Sequence, residues 1–132
     1  MHAPFAWGTN DCALFAADAI QAFTDVDIAK DFRGKYSTEA GAFALIRSVT
    51  GKGADLATAV GDAAEYCAVK AGLVEWPNPK FAQRGDLIVI EESGRLIAGI
   101  VGLTGRHGIS VGESGLLRLT FSEAPWKRAW HV

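Results

Sequence analysis

Apolar side chains recur with a helical period along the first half of the chain and in short runs broken by glycine along the second. Cys12, Phe15, Ala16, Ala19, Ile20 and Phe23 fall at i, i+3, i+4, i+7, i+8 and i+11, one face of a helix. Thr9, Asn10 and Asp11 precede them, all residues whose side chains accept from the free N–H groups of a helix start, and Thr24-Asp25 closes the segment. The pattern predicts a second helix over Thr38 to Val49, capped by Ser37, with Phe43, Ile46 and Val49 turned inward and Gly51 and Gly53 ending it. A third runs from Leu56 to Ala71, burying Leu56, Val60, Ala63, Ala64 and Cys67, with Gly72 as its C-terminal cap.

Trp76-Pro77-Asn78-Pro79 interrupts the helical pattern, because proline lacks the N–H and clashes with the preceding turn. Beyond it lie strand-like runs at Leu87–Ile90, Leu96–Leu103, Arg106–Gly112 and Leu116–Phe121, then a short final one at Arg128–Val132. Glu92-Ser93-Gly94-Arg95, Thr104-Gly105 and Glu113-Ser114-Gly115 supply glycine where tight reversals need it. Short reversals impose antiparallel neighbours, since parallel strands need a long crossover. The expected fold class is α+β, N-terminal helices packed on an antiparallel β meander, in one domain over 1–132.

Composition narrows the function classes. The 132 residues are 49% hydrophobic and 21% charged, a globular balance rather than a disordered one. Thirteen Lys+Arg against 15 Asp+Glu leave a net charge of −2, so there is no basic excess to neutralise phosphates and no nucleic-acid partner is expected. Two cysteines, Cys12 and Cys67, are too few for a disulfide framework and are expected reduced, as in a cytoplasm. The start Met1 to Trp7 lacks the cationic and apolar segments of a signal peptide. The most apolar stretch, Leu96 to Leu103, is far shorter than the ~20 residues that span a membrane. No CxxC, HExxH or P-loop spacing occurs, so neither a metal nor another cofactor is expected.

Cys12 carries the candidate chemistry. It stands in the first turn of the first helix, where orphan N–H groups and the positive end of the helix dipole favour a thiolate and offer donors to an oxyanion. The competing reading is a small buried hydrophobe opening an amphipathic helix; Cys67, mid-helix on the apolar face, is read as core. A cysteine nucleophile needs a base, and the histidines are His2, His107 and His131. His2 falls near the chain start and His131 on what reads as an edge strand. His107 opens a strand read as interior, with Gly108 leaving room beside the imidazole, and its competing reading is a hydrogen-bonded histidine at a strand start. Asp86 and Ser110 are the polar candidates for a third, orienting position. Trp126 and Trp130 read as packing residues or as anchors of a partner surface.

Trp7-Gly8-Thr9-Asn10-Asp11-Cys12, followed by Gly85-Asp86-Leu87 leading into the strands, resembles the NlpC/P60 cysteine peptidases, a papain-like family that cleaves the stem peptides of bacterial cell wall. The match runs in order over almost the whole chain through short motifs. The chain looks more closely similar to small phage and prophage proteins encoded among tail genes, which share the WGxxDC start, a Phe-Arg-Gly-Lys-Tyr segment (Phe32 to Tyr36), the Gly-Asp-Leu turn and an Ala-Trp-x-Val end (Ala129 to Val132). The resemblance implies a tail-tip or baseplate virion component, made in the host cytoplasm, whose partners are other tail proteins and bacterial peptidoglycan. It also implies Cys12 as nucleophile. The family's His-x-Gly-Ile pattern, however, falls on Ile97-Ala98-Gly99-Ile100, setting isoleucine where the base belongs. Two readings follow: a structural or wall-docking domain with a degenerate site, or an active peptidase or amidase with His107 recruited as base during genome delivery. Losing general acid–base help alone costs ~10²–10⁴ in rate.

Overall fold

The computed structural model describes residues 5–8, 10–52, 55–112 and 114–132. His2, Thr9, Gly53 and Glu113 lie outside them. Three helices come first, α1 (Cys12–Thr24), α2 (Glu39–Thr50) and α3 (Ala59–Lys70). Six strands follow: β1 (Val74–Glu75), β2 (Leu87–Glu92), β3 (Arg95–Val101), β4 (His107–Gly112), β5 (Gly115–Thr120) and β6 (Trp126–His131), with a short 3-10 turn at Pro79–Phe81. They form one antiparallel sheet in the order β1-β6-β2-β3-β4-β5. The fold is α+β.

Caps fix the helix ends. Asp11 accepts from the Leu14 N–H at 3.0 Å to start α1, and Asp25, with φ 61°, ends it by donating to the Gln21 carbonyl. In α2 the cap is Thr38 rather than Ser37, its hydroxyl accepting from the Gly41 N–H at 3.0 Å. α3 starts three residues later than the apolar pattern predicts. Leu56 lies in a turn and is exposed rather than buried, and Thr58 gives the helix no side-chain cap.

The meander holds for β2 to β5 only. After β5 the chain returns to the far side of β2, so β6 lies between β1 and β2 and His131 is on an interior strand, not on an edge. Residues 121–125 make this return only because the sheet curls. Leu119 and Phe121 from the β5 side pack with Ile88, Ile90, Trp126 and Ala129 in one apolar cluster on the concave face. Gly108 sits at the middle of that curl: a Cβ there would stand 2.8 Å from the tips of both Ile88 and Ile90. The space beside Gly108 is filled by side chains from across the sheet rather than left for the His107 ring.

The opposite face takes the helices. Ala16 and Ile20 of α1 and Ala64 and Ala68 of α3 bury against Leu87, Val89, Ala98 and Trp130. A third cluster joins Phe32, Phe43, Ile46, Ala63 and Cys67 between α2, α3 and the segment before α2. Trp126 and Trp130 are 5% and 2% exposed, which makes them core and removes them as surface anchors. No helix among the described residues is long and apolar enough to cross a membrane.

Candidate functional site

The two sequence motifs at the start of the resemblance form one joint. Gly8 has φ 83°, and a Cβ on it would fall 1.8 Å from the Tyr36 carbonyl oxygen, so only glycine lets the two segments touch. The Gly34 N–H donates to the Gly8 carbonyl at 3.1 Å. The Asp11 carboxylate, 2% exposed, accepts from the N–H groups of Gly8 and Leu14 and from the Tyr36 hydroxyl. Trp7-Gly8 and Asp11 are thereby tied to the segment ending in Tyr36. Burial and the Asp11 charge together push the Tyr36 hydroxyl far above the usual tyrosine range.

This joint delivers Cys12 to the start of α1, against β3. Side chains alternate across a strand, so Leu96, Ala98 and Ile100 face the helices while Ile97 and Val101 enter the concave cluster. Ala98 is the β3 residue whose backbone bonds the Cys12 thiol. Ile97 therefore points away from Cys12, and Ala98 is the β3 residue beside the thiol.

Cys12 is part-buried, and its surroundings favour the small hydrophobe over the thiolate. Burial dominates and pushes the Cys12 thiol up to about 11, assisted by the neighbouring Asp11 charge. Backbone hydrogen bonds from Ala98, Ala13 and Cys12 itself oppose this without cancelling it. Cys67, buried in the third cluster, is pushed up to about 12, chiefly by burial. Cys12, Cys67, Asp11 and Tyr36 line one cavity of about 50 Å³, otherwise walled by apolar groups such as Leu14, Phe43 and Leu87. That is room for a few waters and far below the ~300–1,000 Å³ of a ligand pocket.

The structure does not bring His107 to Cys12. Ser110, whose hydroxyl donates to the Ala98 carbonyl at 2.6 Å, marks the part of β4 level with the thiol. His107 opens β4 three residues away, ~10 Å along a strand. Its ring meets the Thr104 hydroxyl at 3.4 Å. Ser110 is spent on the backbone of β3, and no histidine among the described residues lines the cavity at Cys12.

Asp86, the other orienting candidate, does hold a histidine, but a different one. Its carboxylate, 2% exposed, accepts from the Trp76 indole N–H at 2.8 Å and the Gln83 and Val132 amides at 2.8 and 3.0 Å. The fourth contact is His131 Nδ1 at 3.1 Å. This cluster stands level with Val101, whose N–H donates to the Asp86 carbonyl, and not with Ala98. Sequence reasoning missed it because its members lie up to 46 residues from Asp86 and share no motif. The only available signal was the coincidence of the Gly-Asp-Leu turn with a tryptophan before it and a histidine near the last residue. Among the described residues, no three His, Cys, Asp or Glu side chains converge in a way that could hold a metal ion.

The chain belongs to the DUF6950 family, a domain of unknown function, whose model matches residues 1–132. No curated protein and no solved structure matches it.

Proposed function

We propose that this DUF6950 chain is a component of a bacteriophage tail tip or baseplate, an NlpC/P60-like, papain-like domain with a degenerate peptidase site, serving a structural or wall-docking role. Support for the descent comes from the motifs: the Trp-Gly turn and the Asp-Cys pair open a helix stacked on an antiparallel sheet, and the Gly-Asp-Leu turn leads into that sheet. The observation that carries the loss of catalysis is Cys12 itself. Its thiol, pushed up to about 11 by desolvation, faces Ala98 and has no imidazole beside it among the described residues. Such a thiol supplies neither the nucleophile nor the proton for a leaving amine. The joint of Gly8, Asp11 and Tyr36 remains, and it now holds the fold rather than a reaction centre.

Two measurements test this. In zymography on purified cell wall, the wild type and Cys12→Ala are expected to clear no more than a buffer control, while wall sedimentation or mass spectrometry of purified particles finds the protein bound. Clearing by the wild type that Cys12→Ala abolishes would establish the active peptidase instead. Absence from both wall and particles would remove the virion reading.

A further inference from the structure

A second feature lies at the other end of α1, away from Cys12. The Phe23 ring rests on Gly85, 3.2 Å from where a Cβ there would stand, yet Phe23 stays 57% exposed. Together with Ile100, Ile109 and Leu103, which is 88% exposed at the β3–β4 turn, it walls an open groove of about 410 Å³. That volume falls within the range of ligand and peptide pockets. Exposed apolar side chains scattered singly are ordinary, but a contiguous set around a concavity marks a contact surface.

Charge singles out the occupant. Arg84 lines the groove, and Arg118 stands directly across from Ile109 on β5, on the same face of the sheet. Arg106 sits in the same turn as Leu103. None of these three arginines has an ion-pair partner among the described residues, a state they share only with Arg47 on α2 among the described arginines, whereas Arg33, Arg95 and Arg128 are all paired. No carboxylate lines the groove. In a chain with net charge −2, cations left unpaired around an apolar slot are complementary to an acidic partner.

We infer that this groove docks a segment of a partner protein that places an apolar side chain against Phe23 and Ile109 and carboxylates against Arg84 and Arg118. The inference rests on the groove alone and stands whether or not the tail reading holds. A fluorescein-labelled peptide of alternating glutamate and leucine, with a lysine–leucine counterpart as control, tests it by fluorescence anisotropy on the intact chain. The acidic peptide is expected to bind, to weaken as salt rises, and to lose about tenfold or more in affinity for Arg84→Glu/Arg118→Glu. Both arginines are exposed, so the variant is expected to melt like the wild type, and amide shifts on titration should centre on β3, β4 and the end of α1. Equal binding of the two peptides, or an affinity unmoved by the double reversal, would overturn the inference. So would sedimentation showing that the groove is closed by a second copy of this chain.

Discussion

Replacing Tyr36 by phenylalanine removes one donor to a carboxylate that is almost wholly buried, and the cost should fall on Asp11 rather than on the ring. The expected loss is about 1–3 kcal/mol, read as a lower urea midpoint with an unchanged slope. Gly8→Ala should cost more than Tyr36→Phe, because it meets both a left-handed backbone and the Tyr36 carbonyl. If either variant melts like the wild type, the joint is not what holds α1 in place. The sequence located Cys12 and Asp11 correctly at a helix start, since caps are local. It misjudged the thiol because the dipole is a property of the helix, whereas desolvation depends on Ala98 and a cavity wall drawn from distant segments. The same reasoning predicts that Ile97→His leaves Cys12 reactivity unchanged, since that side chain enters the concave cluster.

Among the elements, Asp86 has the widest reach. One carboxylate gathers Trp76 after β1, Gln83 in the turn before β2, and His131 and Val132 at the end of β6. Asp86→Asn keeps the shape but turns one acceptor oxygen into a donor facing donors. The expected cost is about 3 kcal/mol, with a shift in tryptophan fluorescence as Trp76 loses its partner. An unchanged midpoint would show that the cluster is incidental. Helices and hairpins were legible in the sequence because their signals lie within a few residues: the period of α1, the αL cap after it, and the Ser93-Gly94 reversal with both φ values positive. The return of β6 to the side of β2 was not. It depends on the curl of the sheet and on Gly108 letting Ile88 and Ile90 cross the interior, and no local pattern encodes a pairing over that separation. The two-residue β1 is too short to show any period.

For the whole molecule, charge sets a stability dome with different causes on its two sides. Arg33 holds the Asp27 carboxyl below its ordinary value, and Arg128 does the same for Glu65. These carboxylates release protons more readily folded than unfolded, so their stabilisation is present above the unfolded values of 3.8 and 4.5 and is lost as pH falls below them. The thiols act in the opposite direction. Unfolded, each ionises near 9.0; folded, Cys12 keeps its proton to about 11 and Cys67 to about 12. The native state then binds more protons than the unfolded one, so stability should fall as pH rises from 9, and the raised Tyr36 hydroxyl carries the fall beyond the range of the thiols. Thermal melts across this range should show the alkaline decline flattened in Cys12→Ala and Cys67→Ala.

That no base stands beside Cys12 among the described residues is tested most directly by the rate of Cys12 alkylation with iodoacetamide against pH, on a Cys67→Ala background. The structure predicts slow reaction at neutral pH and a single rise towards an inflection near 11, identical in His107→Ala. A plateau of fast reaction at neutral pH that disappears in His107→Ala would contradict it and return the site to catalysis.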